Sequence, residues 1–223
     1  MNKWDDCAVH SQTMPPGESA DFLRSQRRTI LGHRGCVIWL TGLSGAGKST
    51  LARRLECELL NRGILPLHID GDVLRETVCS QLGFSRKDRS ENVRRALAIA
   101  LLAAHTGLAV IVSLVSPYRR DRNIARSRCR AEGVPFAEVF VNASLTVCEN
   151  RDPKGLYHRA RSGTLPLFTG ISSPYEAPRR PMLELRTDVD SEDECASQLT
   201  ALALELTSTH RRRPRVRVSR TLI

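Results

Sequence analysis

The sequence predicts an α/β fold: one parallel sheet of five strands, helices on both of its faces, and a long loop left over as a lid. Two observations carry that prediction. Five short apolar runs alternate with five segments of helical periodicity, starting at "CVIWLT", and strands separated by helices pair in parallel. The first run is also continuously apolar rather than alternating, as a strand buried on both faces must be. A chain of 223 residues with 41% hydrophobic content can bury one such core.

The first strand is 36–41, bounded by Gly35 and Gly42. A helix over 49–61 places Leu51, Leu55, Leu59 and Leu60 on one stripe, and Gly63 ends it. Residues 64–70 form the second strand, with Pro66 marking its start. Ser85 and Asp88 have capping-box-like spacing and open a helix that stops at Gly107. Strand 108–115, helix 119–131, strand 136–141 and a short helix 144–150 continue the alternation. Residues 152–181, rich in Gly, Pro, Ser and Arg, read as a loop of about thirty residues, a length that fits an active-site lid. A strand at 182–187 and a helix at 191–206 complete a domain over 35–207, between an extension 1–34 and a tail 208–223.

No apolar run approaches the length of a membrane span. The N-terminus "MNKWDDCAVHSQTMPPGES" is acidic and prolyl where a signal peptide is basic and then apolar, so the expectation is a soluble cytoplasmic protein. Seven cysteines with no C-x-x-C argue against a disulfide framework and against zinc. Cys36 and Cys148 read as buried, reduced thiols. Of the net charge of +10, six charges belong to the arginines of "HRRRPRVRVSRTLI". That tail reads as disordered and solvated, with contact to RNA or an acidic partner as the alternative.

Gly42, Gly47, Lys48 and Ser49 satisfy G-x-x-x-x-G-K-[ST] between a strand and a helix. This makes the sheet one of the P-loop NTPase type. Backbone N–H groups of Gly42, Leu43, Ser44, Gly45, Ala46, Gly47, Lys48, Ser49 and Thr50 would cradle a polyphosphate. Lys48 would reach the β- and γ-phosphates, and the Ser49 hydroxyl would ligate Mg²⁺. "NKWD" (2–5) and "DPKG" (152–155) match GTPase patterns but in the wrong order. The third strand ends "SLVSPYRR", without the acid that a motor ATPase places there.

Ligands in such sheets bind beyond the carboxyl ends of the strands. "DGDVLRE" puts Asp70 and Asp72 at such an end, suited to hold Mg²⁺ through water or to take a proton from an acceptor hydroxyl. Arg75, Arg89, Arg119, Arg151, Arg159, Arg161 and Lys154 gather near strand ends and in the long loop, and planar guanidiniums suit a polyanionic acceptor. Arg89 and Asn92 lie one helical turn apart. Phe84 and Phe168 sit in polar, glycyl loops, where they either stack on a base or anchor the lid.

With "GLSGAGKST", "DGDVLR", "LGFSRKDRSENVRR", "SPYRRDRNIAR", "EVFVNASLTVCENRDPKGLY" and "FTGISSPYEAP" in this order, the chain resembles the adenylyl-sulfate kinase (APS kinase) family over roughly residues 30–206. The resemblance implies transfer of the ATP γ-phosphoryl group to the 3′-hydroxyl of adenosine 5′-phosphosulfate (APS), giving PAPS. It implies that Lys48 and Ser49 hold ATP and Mg²⁺, that Asp72 is the base and that Asp70 lies near the metal waters, the two acids being exchangeable in role. Arg75, Arg89, Asn92 and Lys154 would grip the phosphosulfate or ribose, with Arg119 near them. Phe84 and Phe168 would sandwich the acceptor adenine. Arg151 and Thr187 would border the ATP adenine, and 152–176 would be the lid. Ser116 would be a site residue, in binding rather than as a phosphoserine intermediate. A homodimer and functional coupling to ATP sulfurylase are also implied.

The chain departs from the family pattern at Val73, where Asn is usual, and in "ETVCSQ" (76–81). Two other functions stay open on sequence: a kinase of this scaffold with another nucleotide-like acceptor, such as a modified cytidine diphosphate, and a basic RNA-binding protein that uses ATP as a switch.

Overall fold

The computed structural model describes residues 20–209. Residues 1–19, with the N-K-x-D match, and residues 210–223, with the six tail arginines, lie outside the described residues. The chain runs α1 (Ala20–Leu31), β1 (Cys36–Thr41), α2 (Lys48–Leu60), β2 (Pro66–Asp70), α3 (Gly71–Glu76), α4 (Arg86–His105), β3 (Ala109–Ser113), α5 (Arg119–Ala131), β4 (Phe136–Asn142), α6 (Leu145–Arg151), α7 (Leu156–Arg161), β5 (Leu183–Arg186) and α8 (Glu192–Thr207). The five strands form one sheet in the order β2-β3-β1-β4-β5, every pairing parallel. Among the described residues this is the fold that the alternation predicts.

β1 lies at the centre, and all six of its residues are buried. Its side chains alternate between two cores, as the strand period demands. Cys36, Ile38 and Leu40 pack with Leu51, Leu55 and Leu59 of α2 and Leu199 of α8. Val37 and Trp39 pack on the other face with Val93, Leu97 and Leu101 of α4 and with Ala125 and Cys129 of α5. Cys36 and Cys148 are buried free thiols, and burial pushes Cys36 up to about 12.

Three helices have no counterpart in the sequence reading. α3 is six residues long, too short for periodicity to reveal; Asp70 starts it by accepting the Asp72 amide at 2.9 Å. α7 interrupts the segment read as a structureless loop. Gly155 (φ +63°) opens it, and the Asp152 carboxylate takes the amides of Tyr157 and His158, each at 3.1 Å. α1 lies in the stretch read as an extension. It docks where Arg27 donates to the His105 carbonyl at 3.2 Å and Leu31 packs over Gly107.

Candidate active site

The carboxyl ends of β1, β2 and β3 open into a cleft of about 1190 Å³. β1 delivers the chain into the phosphate loop, which closes on itself. Gly47 sits at the N-cap of α2 with φ +92°, a left-handed conformation that glycine adopts without strain. A side chain at Gly42 would run into the Val141 carbonyl of β4. The loop can therefore pass this close to the sheet only with glycine there.

Lys48 is buried and donates to the carbonyls of Gly42 (3.1 Å) and Leu43 (2.7 Å). Burial lowers its pKa to about 8, against the opposing influence of Cys148, Asp72 and Asp70. The ammonium is thus stored against loop carbonyls that a phosphate would outbid, since charge-assisted bonds to phosphate are the stronger ones.

Next to it, Ser49 Oγ donates to Asp70 Oδ2 at 2.7 Å. Ser113, at the end of β3, donates to the same oxygen at 2.9 Å and bonds His68 Nε2 at 2.8 Å. Burial alone would raise the Asp70 carboxyl. Hydrogen bonds from Ser49, the Asp72 amide and Ser113 outweigh burial and leave Asp70 below its ordinary value. The donor set is a hydroxyl and a carboxylate, hard oxygens that suit Mg²⁺. Among the described residues no group of three or more His, Cys, Asp or Glu could hold a metal by itself. A Mg²⁺ ion here would take its remaining ligands from phosphate and water.

Two residues further on, Asp72 is exposed and ion-paired with Lys154 from the lid. Arg75 and Arg89 converge on Phe84, with their guanidinium carbons 4.4 and 5.4 Å from the ring centroid. Arg89 also donates to the Phe84 carbonyl (3.1 Å) and to the Leu167 carbonyl (2.7 Å), tying α4 to the lid. Asn92, one turn further, is buried with its Oδ1 unpartnered. Such an orphaned acceptor beside a cleft is a place for a ligand donor. Phe84 is 41% exposed, whereas Phe168 is 8% exposed and meets Tyr157 edge-on at 4.9 Å. Phe168 therefore both lines the cleft and anchors the lid.

At the opposite end Arg151 donates to the carbonyls of Gly45 (3.3 Å) and Thr187 (2.5 Å), and Thr187 Oγ1 donates to the Ala46 carbonyl at 2.9 Å. One cavity thus holds a phosphate loop, a hydroxyl–carboxylate pair of hard oxygens, a second carboxylate paired with Lys154, and a cationic, aromatic pocket. Residues 34–186 match the family described as adenylylsulphate kinase.

The chain belongs to the adenylylsulphate kinase family. It is 48% identical over 172 residues to the adenylyl-sulfate kinase of Saccharomyces cerevisiae, covering 77% of this chain and 85% of that one. It is 52% identical over 171 residues to the adenylyl-sulfate kinase of Shewanella amazonensis, covering 75% and 85%. The solved structure of Mycobacterium tuberculosis APS kinase in complex with AMPPNP and APS superposes with a TM-score of 0.74 at 46% identity, covering 77% of this chain and 98% of that one.

Most of the residues expected at the site line this adenylylsulphate kinase cleft: Ser44, Gly45, Gly47, Lys48, Ser49, Thr50, Asp70, Asp72, Arg75, Phe84, Arg89, Asn92, Ser116, Arg151, Lys154, Phe168 and Thr187. Gly42, Leu43 and Ala46 belong to the loop but not to the cleft lining, because the loop turns them toward β4 and the lid. Arg119 does not line the cleft either. Its Nε donates to the Ala177 carbonyl at 2.9 Å, and its amide donates to Glu176 Oε2 at 3.0 Å. It caps the end of the lid segment, a contact across 58 residues that charge clustering does not reveal.

Ser116 is buried at φ +38°. Trp39 Nε1 donates to its hydroxyl at 3.1 Å, and that hydroxyl lies 3.0 Å from Thr41 Oγ1, which accepts from it. Among the described residues no histidine or lysine bonds the hydroxyl. Tyr157, not singled out in the sequence, donates from its phenol to the Ser44 carbonyl at 2.9 Å and so joins α7 to the phosphate loop. The "KGLY" that runs into the first turn of α7 is its only signal.

Proposed function

We propose that this chain transfers the γ-phosphoryl group of ATP to the 3′-hydroxyl of APS, yielding PAPS and ADP. The observation that carries the reading is the convergence of Asp72 with both substrate-binding halves in one cleft. Phosphoryl transfer asks mainly for positioning and charge stabilisation. ATP phosphates lie on the loop amides at the N-terminus of α2, where the helix dipole favours negative charge. Lys48 leaves the Gly42 and Leu43 carbonyls for the β- and γ-phosphates. Arg151 and Thr187 border the adenine of ATP.

Ser49 and Asp70 would hold Mg²⁺, directly or through water, and the ion would supply neutralisation of charge on the transferring group. Arg75, Arg89, Asn92 and Lys154 grip the acceptor's phosphosulfate and ribose, and Phe84 and Phe168 flank its adenine. Asp72 takes the proton of the 3′-hydroxyl as that oxygen bonds to the γ-phosphorus, while the bond from γ-phosphorus to the bridging oxygen breaks and leaves ADP. Ser116 keeps its hydroxyl in the Trp39–Thr41 bonds and shapes the acceptor wall without becoming phosphorylated. The domain boundaries 35–207 enclose all of these groups.

The same reading makes the protein a cytoplasmic homodimer whose acceptor is supplied by an ATP sulfurylase. Light scattering on the purified protein checks the dimer. A second acceptor class is favoured by one observation: Val73, 58% exposed, lines the cleft beside Asp72. Competition between APS and a cytidine nucleotide for labelled γ-phosphate separates the two.

A further inference from the structure

Behind the acceptor wall lies a charge that the phosphate chemistry does not use. Arg122 of α5 is 1% exposed and does not line the cleft. Its guanidinium makes three short bonds in three directions. Nε donates to Glu138 Oε1 of β4 at 2.6 Å, one terminal nitrogen to the Ser116 carbonyl at 2.6 Å, and the other to the Glu176 carbonyl at 2.6 Å. Glu138 is itself buried and is shared with Arg126. A buried arginine needs its charge balanced and its donors satisfied. Glu138 balances the charge, and the two carbonyls fix where the fork points.

Those carbonyls belong to the two segments that bound the acceptor side. Ser116 and Pro117 line the cleft, and Ser116 holds the left-handed φ of +38°, a conformation that a non-glycine residue keeps only when its surroundings impose it. Glu176 ends the lid. Its amide donates to the Pro117 carbonyl at 2.8 Å, and its carboxylate accepts the Arg119 amide at 3.0 Å. Next to it the Tyr175 hydroxyl lies 3.1 Å from Thr41 Oγ1, the group that accepts from Ser116. The loop after β3 and the exit of the lid are thus cross-bonded, with Arg122 at the crossing.

We propose that Arg122 is a positioning residue for the acceptor: it locks the Ser116–Pro117 wall and the Tyr175–Ala177 end of the lid into one rigid unit. Lid movement is then confined to the chain before Tyr175, the part that carries Lys154 and Phe168. The proposal rests on the APS reading for what the wall contacts, but not for the coupling itself.

The test pairs kinetics with amide exchange on the full chain. Arg122→Lys keeps the charge facing Glu138 and cannot fork to both carbonyls. It should raise KM for APS about tenfold or more, while AMPPNP affinity stays within about twofold. Exchange should accelerate together at the amides of Pro117-bonded Glu176 and of Arg119, with the rest of the sheet unchanged. Equal losses for both nucleotides with faster exchange throughout, or an unchanged KM for APS, would overturn the proposal. If the variant does not fold, exchange on the wild type decides: 114–119 and 175–177 must open at one common rate, and independent opening refutes the coupling. A wild type that transfers nothing to APS, yet shows the common opening, fails the substrate reading and leaves the clamp intact.

Discussion

Ser49 Oγ lies 2.7 Å from Asp70 Oδ2, a hydrogen bond that ties the first turn of α2 to the tip of β2. Asp70 also caps α3 through the Asp72 amide, so its two roles can be separated by mutation. Asparagine still caps a helix but carries no charge. Asp70→Asn should leave the thermal midpoint within a few degrees, while raising the Mg²⁺ concentration for half-maximal rate about tenfold. Asp70→Ala should add a stability loss of ~1 kcal/mol from the missing cap. A Mg²⁺ titration and a melting curve on both variants check this.

Lys48 gives the protein a pH signature. Its folded pKa of about 8 lies below the ordinary lysine value of 10.5, so burial costs stability fully below pH 8. Between pH 8 and 10.5 the unfolded chain binds the extra proton, and this cost fades as pH rises. Lys48→Met should therefore be more stable than the wild type at pH 7, by at most ~3 kcal/mol, with the gap closing above pH 8. ATP affinity of the wild type should fall as pH climbs through 8, because the free lysine loses its charge. Denaturant melts and nucleotide titrations across pH 6.5–9.5 measure both.

The two phenylalanines that line the cleft should part company. Phe84 is partly exposed, whereas Phe168 is buried against Tyr157. Phe84→Ala should raise KM for APS at little cost in stability. Phe168→Ala should raise KM and also destabilise by ~3 kcal/mol, as an emptied aromatic site does. Equal melting temperatures for the two variants would contradict the burial difference.

Ser116 is the sharpest disagreement between two mechanisms. Its hydroxyl is engaged by Trp39 and Thr41, and direct transfer does not need it as a nucleophile. Ser116→Ala should keep activity within about one order of magnitude, whereas loss of a true nucleophile costs far more. Phosphoserine at 116 in protein quenched during turnover would refute direct transfer.

These sites differed in how far the chain itself exposed them. The sheet was readable because β1 and β3 are unbroken apolar runs and because Gly47-Lys48 falls between a strand and a helix. Asp70, Asp72, Arg75 and Arg89 were readable because each sits within a few residues of a strand or helix end. What escaped was held by distance along the chain. Arg122 reaches Glu176 across 54 residues and Trp39 reaches Ser116 across 77, and no local period encodes either bond. Arg119 looked like an acceptor arginine and instead holds the lid's end. α7 was hidden because its six residues follow a glycine in a segment rich in turn formers.

Asp72 as the proposed base for an APS acceptor is open to a direct test. The most direct measurement follows label from γ-labelled ATP with Mg²⁺ into APS, in wild type and in Asp72→Asn, with adenosine and cytidine nucleotides as competing acceptors. Asp72 is exposed and bonds Lys154, so the variant should fold, bind AMPPNP and lose about 10²–10⁴ in kcat. Labelled PAPS should form with the wild type and almost none with the variant. Label that enters another nucleotide in preference to APS, or an Asp72→Asn enzyme as fast as the wild type, would contradict it.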